Sequence, residues 1–227
     1  MRRAITFDAF GTIIDPGRDV LIRIARAVCE DHRPSLDAEA LLATWDRYFF
    51  GAETETFLTL AEITEDSLAK AFWDYRIDAD PGPYVDRLEA LWRQAKAYAE
   101  VPRILAALDG FPRAVVSNAD HAFLTDILDR NRLRFDAVIT SESAQAYKPR
   151  PRIFEAALES LRVEPKYVVH VGDSLAADVA GASRLGMKTV WVNRTGVRRW
   201  PADARPDAEV RDLTTLPEIL ERFRGER

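Results

Sequence analysis

The sequence contains one cysteine in 227 residues, so the chain cannot form an internal disulfide. Such a low count is typical of a protein in a reducing compartment. That cysteine, Cys29, lies among apolar residues at helical spacing, where we expect it to be buried in a core. Only three histidines are present, and no set of His and Cys residues has the spacing of a zinc site.

An excess of basic charge is also missing. Lysine and arginine total 32 against 37 aspartate and glutamate residues, which gives a net charge of −5, and the basic residues are scattered. We therefore expect no nucleic-acid groove and no contact with an anionic membrane surface. The apolar stretch near the N-terminus ends at Asp8 and is too short for a signal or a membrane span. The sequence predicts a cytoplasmic protein that binds a small anionic substrate, and it carries no pattern that indicates an oligomeric state.

The first apolar stretch, residues 4–7, runs directly into Asp8, as in a buried parallel strand. Gly11 then allows a sharp turn whose backbone N–H groups can face an anion. Open α/β sheets hold their ligands at the carboxyl ends of the strands. Asp8 is therefore our candidate nucleophile, although a carboxylate that only caps the turn fits this stretch as well.

The rest of the chain divides into two patterns. Residues 17–96 carry apolar side chains at helical spacing with no strand-like alternation, which predicts about four helices in a separate bundle. Residues 97–227 alternate strands with helices, which is typical of a parallel sheet covered on both faces. The predicted fold is therefore α/β, with a Rossmann-like parallel sheet core made of residues 1–16 and 97–227 and an inserted α-helical domain, residues 17–96. After the first strand, we predict strands at residues 113–117, 136–140, 167–171, 188–192 and 208–210.

Polar residues stand where the predicted strands end. They are Asp8 with Thr12, Ser117 with Asn118, Lys148, and Asp173 with Asp178. Three carboxylates at one sheet edge would form an oxygen-rich pocket that suits Mg²⁺ and a phosphate. Lys148 would offset the negative charge and hold Asp8 ionised, while Ser117 and Asn118 would donate hydrogen bonds to the transferred group. Alone, Asp173 would instead be a helix cap and Asp178 a solvent-facing residue.

With these clusters in this order, the chain resembles the haloacid dehalogenase (HAD) superfamily of aspartate-nucleophile hydrolases. The four motifs are residues 8–12, residues 115–118, residues 147–149 with 152–155, and residues 170–178, and the helical insert stands where that superfamily has an α-helical cap. The resemblance implies that Asp8 attacks the substrate and that water releases the covalent intermediate. It also implies a group-binding role for Thr12, Ser117, Asn118 and Lys148, and a Mg²⁺ site made of Asp8, the backbone carbonyl of Phe10, and Asp173, with Asp178 bound directly or through water.

Two departures from the superfamily's phosphatase pattern point in opposite directions. Phe10 stands where the phosphatases have an aspartate that protonates the leaving oxygen, and an aromatic residue there is similar to the 2-haloacid dehalogenase branch. A positioned acid contributes about 10²–10⁴ in rate, whereas a halide leaves without a proton. The dehalogenases of that branch replace the metal-binding Gly-Asp and work without metal, but this chain retains Gly172, Asp173 and Asp178. Because three carboxylates opposed by Lys148 alone should repel, we expect a cation.

The main prediction is therefore a Mg²⁺-dependent phosphatase that acts on a small phosphorylated metabolite through an aspartyl-phosphate. The first alternative is a metal-independent 2-haloacid dehalogenase that forms an aspartyl ester, and the second is a non-catalytic protein that binds a phosphorylated ligand. Arg47 is a candidate substrate-binding residue, because it lies among aromatic residues near the place where the dehalogenases carry a halide-binding arginine. An exposed arginine beside a helix core is the favoured alternative. We expect His170 to be packed in its strand and the basic residues of the 194–205 loop to be solvated.

Overall fold

The structure, a computed structural model, describes residues 3–17, 19–51 and 57–225. Positions 1–2, 18, 52–56 and 226–227 fall within the predicted domain ranges but lie outside the described residues. The chain forms two compact units, one of Met1–Asp15 with Lys96–Arg227 and one of Pro16–Ala95. Within the described ranges, no helix is both long and apolar enough to cross a bilayer.

The unit made of Pro16–Ala95 is helical throughout its regular structure. Its helices are α1 (Asp19–His32), α2 (Ala38–Phe50), α3 (Leu60–Tyr75) and α4 (Gly82–Trp92). Their apolar residues recur at helical spacing and pack into one core whose fully buried members include Ile24, Val28, Leu41, Leu68 and Leu88. At the start of α3, Thr59 and Glu62 form a reciprocal capping box, which satisfies two N–H groups that the helix leaves free.

The other unit is a six-stranded parallel sheet with helices. Its strands are β1 (Ala4–Phe7), β2 (Arg113–Ser117), β3 (Ala137–Thr140), β4 (Val168–Gly172), β5 (Lys188–Val192) and β6 (Ala208–Val210). Its helices are α5 (Val101–Ala107), α6 (His121–Arg130), α7 (Ser141–Ala144), α8 (Pro151–Leu161), α9 (Ala180–Arg184) and α10 (Leu216–Gly225). The predicted α/β, Rossmann-like class is confirmed.

The strand order is β3-β2-β1-β4-β5-β6, and every neighbouring pair is parallel. β1 is therefore central, and all four of its residues are buried. Phe7 pairs with Val115 of β2 on one side and with Val171 of β4 on the other. The strand order reverses between β1 and β4, which is where open α/β sheets form a ligand crevice. This register brings the residues that follow β1, β2 and β4 to one edge.

One local element differs from its prediction. The helical segment after β4, one of those that the alternating pattern of residues 97–227 predicts, starts with a wider π-helical turn, Leu175–Val179, which leads into α9. Val179 N–H donates to the Ser174 carbonyl five residues earlier, and the Ser174 hydroxyl accepts from Ala177 N–H. Such wide turns occur frequently at functional sites. This one carries Asp178 into the interior of the unit, where its side chain is buried.

Candidate active site

Asp8 follows β1 and is buried, with three side chains hydrogen-bonded to its carboxylate. Lys148 Nζ donates to Oδ1 at 2.5 Å and Ser117 Oγ donates to the same oxygen at 3.2 Å. Thr12 Oγ1 donates to Oδ2 at 3.3 Å. The structure thus brings together four of the predicted residues, and it holds the Asp8 carboxylate in one orientation.

Lys148 also bonds a second carboxylate. Its Nζ lies 2.6 Å from Asp178 Oδ1, and both side chains are almost completely buried. Burial disfavours the ammonium, but the charges of Asp178 and Asp8 outweigh this effect and raise the pKa of Lys148 above its ordinary value. For Asp178, burial raises the pKa, and the Lys148 ammonium with the His170 hydrogen bond lowers it below its ordinary value. Lys148 is therefore a buried cation held by two carboxylates.

Burial also affects the pKa values of the other two carboxyl groups, those of Asp8 and Asp173. Burial raises the pKa of Asp8, an effect that Lys148 opposes and Asp178 reinforces. Burial and the charges of Asp8 and Asp178 raise the pKa of Asp173 to about 8.

Two glycines allow the carboxylates to approach the backbone. Gly11 has a φ of +83°, and a Cβ at that position would lie 2.3 Å from Asp173 Oδ2. At Gly172, a Cβ would lie 2.3 Å from the Asp178 Cγ. Any side chain at either position would therefore displace a carboxylate of the site.

The three carboxylates form a group that could hold a cation. One oxygen from each of Asp8, Asp173 and Asp178 lies within 4.8 Å of the others. Oxygen donors of this kind suit Mg²⁺, so the residues fit that ion. Both oxygens of Asp178 already accept hydrogen bonds, Oδ1 from Lys148 and His170 and Oδ2 from Ser174 N–H. Of the two binding modes predicted for Asp178, the indirect one through water disturbs fewer of these contacts.

Two predicted residues make contacts that their sequence positions did not show. The Asn118 Oδ1 accepts a hydrogen bond from the backbone N–H of Lys148 at 2.8 Å. Asn118 therefore anchors the Lys148 backbone, while its donation to the transferred group stays a prediction. The Phe10 ring stacks against Phe123 of α6, with 6.3 Å between the ring centroids.

A family model described as haloacid dehalogenase-like hydrolase matches residues 2–186. The chain belongs to the haloacid dehalogenase-like hydrolase family. This match confirms the resemblance that the four sequence motifs indicated.

Relatives of this HAD-like hydrolase include two curated dehalogenases. (S)-2-Haloacid dehalogenase 4A of Burkholderia cepacia is 30% identical over 203 residues, which span 86% of this chain and 84% of that protein. (S)-2-Haloacid dehalogenase 1 of Pseudomonas sp. strain CBS-3 is 28% identical, with 97% of each chain covered. A solved structure described as a dehalogenase with an intermediate complex matches with a TM-score of 0.76 at 26% identity, and 96% of each chain is covered.

These relatives overturn the prediction of a Mg²⁺-dependent phosphatase, both as the function and as the enzyme class. The prediction assumed that three ionised carboxylates face one lysine and so require a cation. In the structure, Lys148 bonds two of the carboxylates at once, so one ammonium already offsets part of the negative charge that the prediction assigned to a cation. The charge argument therefore does not by itself require a metal-dependent reaction.

Arg47 belongs to the helical unit of this HAD-like hydrolase. Its Nη2 lies 3.4 Å from Asp74 Oδ2, the Arg47 side chain is 66% exposed, and its guanidinium lies over the Tyr48 ring. The exposure leaves the guanidinium accessible to solvent, and an exposed ion pair of this kind contributes little to stability. A substrate-binding role for Arg47 stays a prediction.

Sequence reasoning missed a buried hydrogen-bonded pair, Thr6 and His170, that contacts Asp178. His170 lies in β4, and its Nε2 is 3.1 Å from Asp178 Oδ1 while its Nδ1 is 2.8 Å from Thr6 Oγ1. Because an ionised carboxylate only accepts hydrogen bonds, Nε2 carries a proton and donates to Asp178 Oδ1, and Nδ1 is hydrogen-bonded with the Thr6 hydroxyl. His170 is packed, as predicted, and it also orients the carboxylate that holds Lys148. The register of β1 and β4 makes this contact, because Thr6 pairs with His170.

We expect Thr6→Val to lower the free energy of unfolding by about 1–3 kcal/mol, because the mutation leaves the buried Nδ1 of His170 without its hydrogen-bond partner. Urea unfolding of the purified variant measures this loss. The matched control is Thr125→Val on α6, which removes a hydrogen bond near the surface and should change stability by less than about 0.5 kcal/mol. Equal losses in the two variants would contradict the role given to Thr6.

Proposed function

We propose that this chain is a 2-haloacid dehalogenase that hydrolyses short 2-halocarboxylates. The observation that carries the proposal is the environment of Asp8, a buried carboxylate fixed by Lys148, Ser117 and Thr12 with Phe10 in place of an acid. A halide leaves as a stable anion and needs no proton, so the missing acid costs this reaction nothing. The dehalogenase relatives, matched over most of their length, support the same reaction.

The proposed reaction has two steps. Asp8 Oδ2 attacks the halogen-bearing carbon, the carbon–halogen bond breaks, and the halide leaves with the bonding electrons. Water then attacks the carbonyl carbon of the Asp8 ester, which releases a 2-hydroxy acid and a proton and restores the carboxylate. Lys148 and Ser117 hold Oδ1, which leaves Oδ2 for the attack. Because the substrate carbon is displaced only once, its configuration should invert.

The same proposal treats Mg²⁺ as a ligand that the reaction does not need. Asp8, Asp173 and the Phe10 carbonyl would hold the ion, with Asp178 bound through water. A bound cation would withdraw electron density from the Asp8 carboxylate. Since this weakens a nucleophile, we expect Mg²⁺ to slow halide release rather than to support it.

The function is tested by halide release from the two enantiomers of 2-chloropropionate. We expect release from the (S) form, an (R)-lactate product, no loss of rate in EDTA, and a lower rate when Mg²⁺ is added. Chiral chromatography of the product and a halide electrode measure these outcomes.

A panel of phosphate esters, assayed with the same enzyme and Mg²⁺, is the matched control. Phosphate release that exceeds halide release from chloro-, bromo- and fluoro-acids would overturn the proposed function. If halide release required Mg²⁺, only the proposal that the reaction needs no metal would be overturned.

A further inference from the structure

Arg194 lies two residues after β5 and binds the turn that carries the nucleophile. Its Nε donates to the Gly11 carbonyl at 3.1 Å, and its Nη2 donates to the Thr12 carbonyl at 2.7 Å. The same Nη2 lies 2.7 Å from Glu100 Oε1, and the Arg194 side chain is only 16% exposed. One guanidinium therefore bonds two successive carbonyls of the turn and one carboxylate. For Arg194, this corrects the expectation that the basic residues of the 194–205 loop are solvated.

A second set of contacts holds the guanidinium in place. The Cζ of Arg194 lies 3.4 Å from the centroid of the Tyr98 ring, a stacked cation–π arrangement. Tyr98 N–H in turn donates to the Ile13 carbonyl at 3.2 Å. The backbone therefore presents three successive carbonyls, those of Gly11, Thr12 and Ile13, to one surface made of Arg194 and Tyr98.

The consequence concerns the oxygen of Asp8 that is free to attack. Lys148 and Ser117 fix Oδ1, whereas Thr12 is the one side chain in the described part of the chain that donates to Oδ2. The rotation of the carboxylate thus depends on where the Thr12 hydroxyl stands. That position depends on the Thr12 backbone, which Arg194 holds.

We propose that Arg194 is a positioning residue that sets the orientation of the Asp8 carboxylate through the backbone of Gly11 and Thr12. Displacement at carbon requires a narrow approach of the attacking oxygen, and a misplacement of about 1 Å can cost on the order of 10²-fold in rate. A lysine cannot replace the arginine, because an ammonium lacks the planar set of donors that reaches two carbonyls and a carboxylate together.

The test uses the intact protein with Arg194→Lys and Arg194→Met. This inference rests on the proposed function for its kinetic measurement, so a second measurement needs no substrate. We expect hydrogen exchange of the amides of residues 9–14 to become faster in both variants, while exchange in the helical unit is unchanged. We also expect kcat for halide release to fall by about 10-fold to 100-fold with KM changed by less than about twofold.

Two further variants complete the test. Arg198→Met, an exposed change in the same loop, should leave both measurements at the wild-type level. Thr12→Val should reduce kcat by itself and add little to Arg194→Met, since both changes release the same oxygen.

Additive effects of Thr12→Val and Arg194→Met would overturn the inference, as would unchanged exchange at residues 9–14. A purely structural role would lower the melting temperature and the active fraction but leave kcat per active site unaltered, and that result would also overturn it. If wild-type protein releases no halide, the proposed function fails, and the exchange measurement still decides whether Arg194 holds the turn.

Discussion

Replacing Asp8 by asparagine should abolish halide release, with a fall in kcat of at least about 10⁴-fold, as is typical when a covalent nucleophile is removed. The amide of asparagine is a far weaker nucleophile than a carboxylate, and no other carboxylate in the group can take over. Asp178 is bound by Lys148, His170 and Ser174, and burial with the neighbouring carboxylates raises the pKa of Asp173 to about 8. The fold should persist, because the asparagine side chain has the same size as that of aspartate and Lys148 keeps Asp178 as its partner.

Isotopically labelled water separates the loss of the nucleophile from a general loss of activity. In a single turnover with excess enzyme, the oxygen delivered to the product should come from Asp8, and the label should enter the Asp8 peptide. Mass spectrometry measures both positions, and Asp8→Asn should show no label. The matched control, Asp126→Asn on the surface of α6, should behave as the wild type. Label found only in the product of the first turnover would show that water attacks the substrate directly, against the covalent route.

The fold could be predicted because the sequence patterns that indicate its strands and helices involve only residues that are close together in the chain. Apolar runs that end in polar residues mark parallel strands, and the helical spacing in residues 17–96 marks helices, so neither prediction needed distant contacts. The site could be predicted in part for the same reason, since carboxyl ends of parallel strands share one edge. Asp8, Thr12, Ser117 and Lys148 all meet there.

The remaining features depend on which side chains meet, and a single sequence does not show this. The charge argument failed because it could not show that Lys148 bonds both Asp8 and Asp178. Arg194 was missed because it stands in a loop rich in basic residues. Its position just after β5, at the edge that holds the other site residues, is the signal that could have identified it.

Lys148→Met should have a large effect on both stability and activity, because it leaves Asp8 and Asp178 buried without their shared cation. Breaking a buried ion pair by removal of one partner costs about 3–5 kcal/mol. The pKa values of both carboxyls should then rise, since burial raises them and the opposing charge is gone. Because both pKa values are raised in the folded state, the free energy of unfolding of the variant should fall as pH rises. The loss of stability relative to wild type should therefore be largest at neutral pH and smaller in acid. Urea unfolding at several pH values measures this trend.

Activity in the same variant should shift in the corresponding direction. Asp8 attacks only when ionised, so the rate is present above the pKa of Asp8 and is lost as pH falls through it. Removal of Lys148 raises that pKa, which moves the acid limb of the kcat/KM profile to higher pH.

Two variants serve as controls. Lys148→Arg keeps the positive charge and should leave the acid limb near its wild-type position. Lys70→Met removes an exposed ion pair with Asp66 and should change stability by less than about 0.5 kcal/mol. An acid limb that stays in place in Lys148→Met would mean that Lys148 does not control the ionisation of Asp8, and the lysine would then act only by holding Asp178 and the fold.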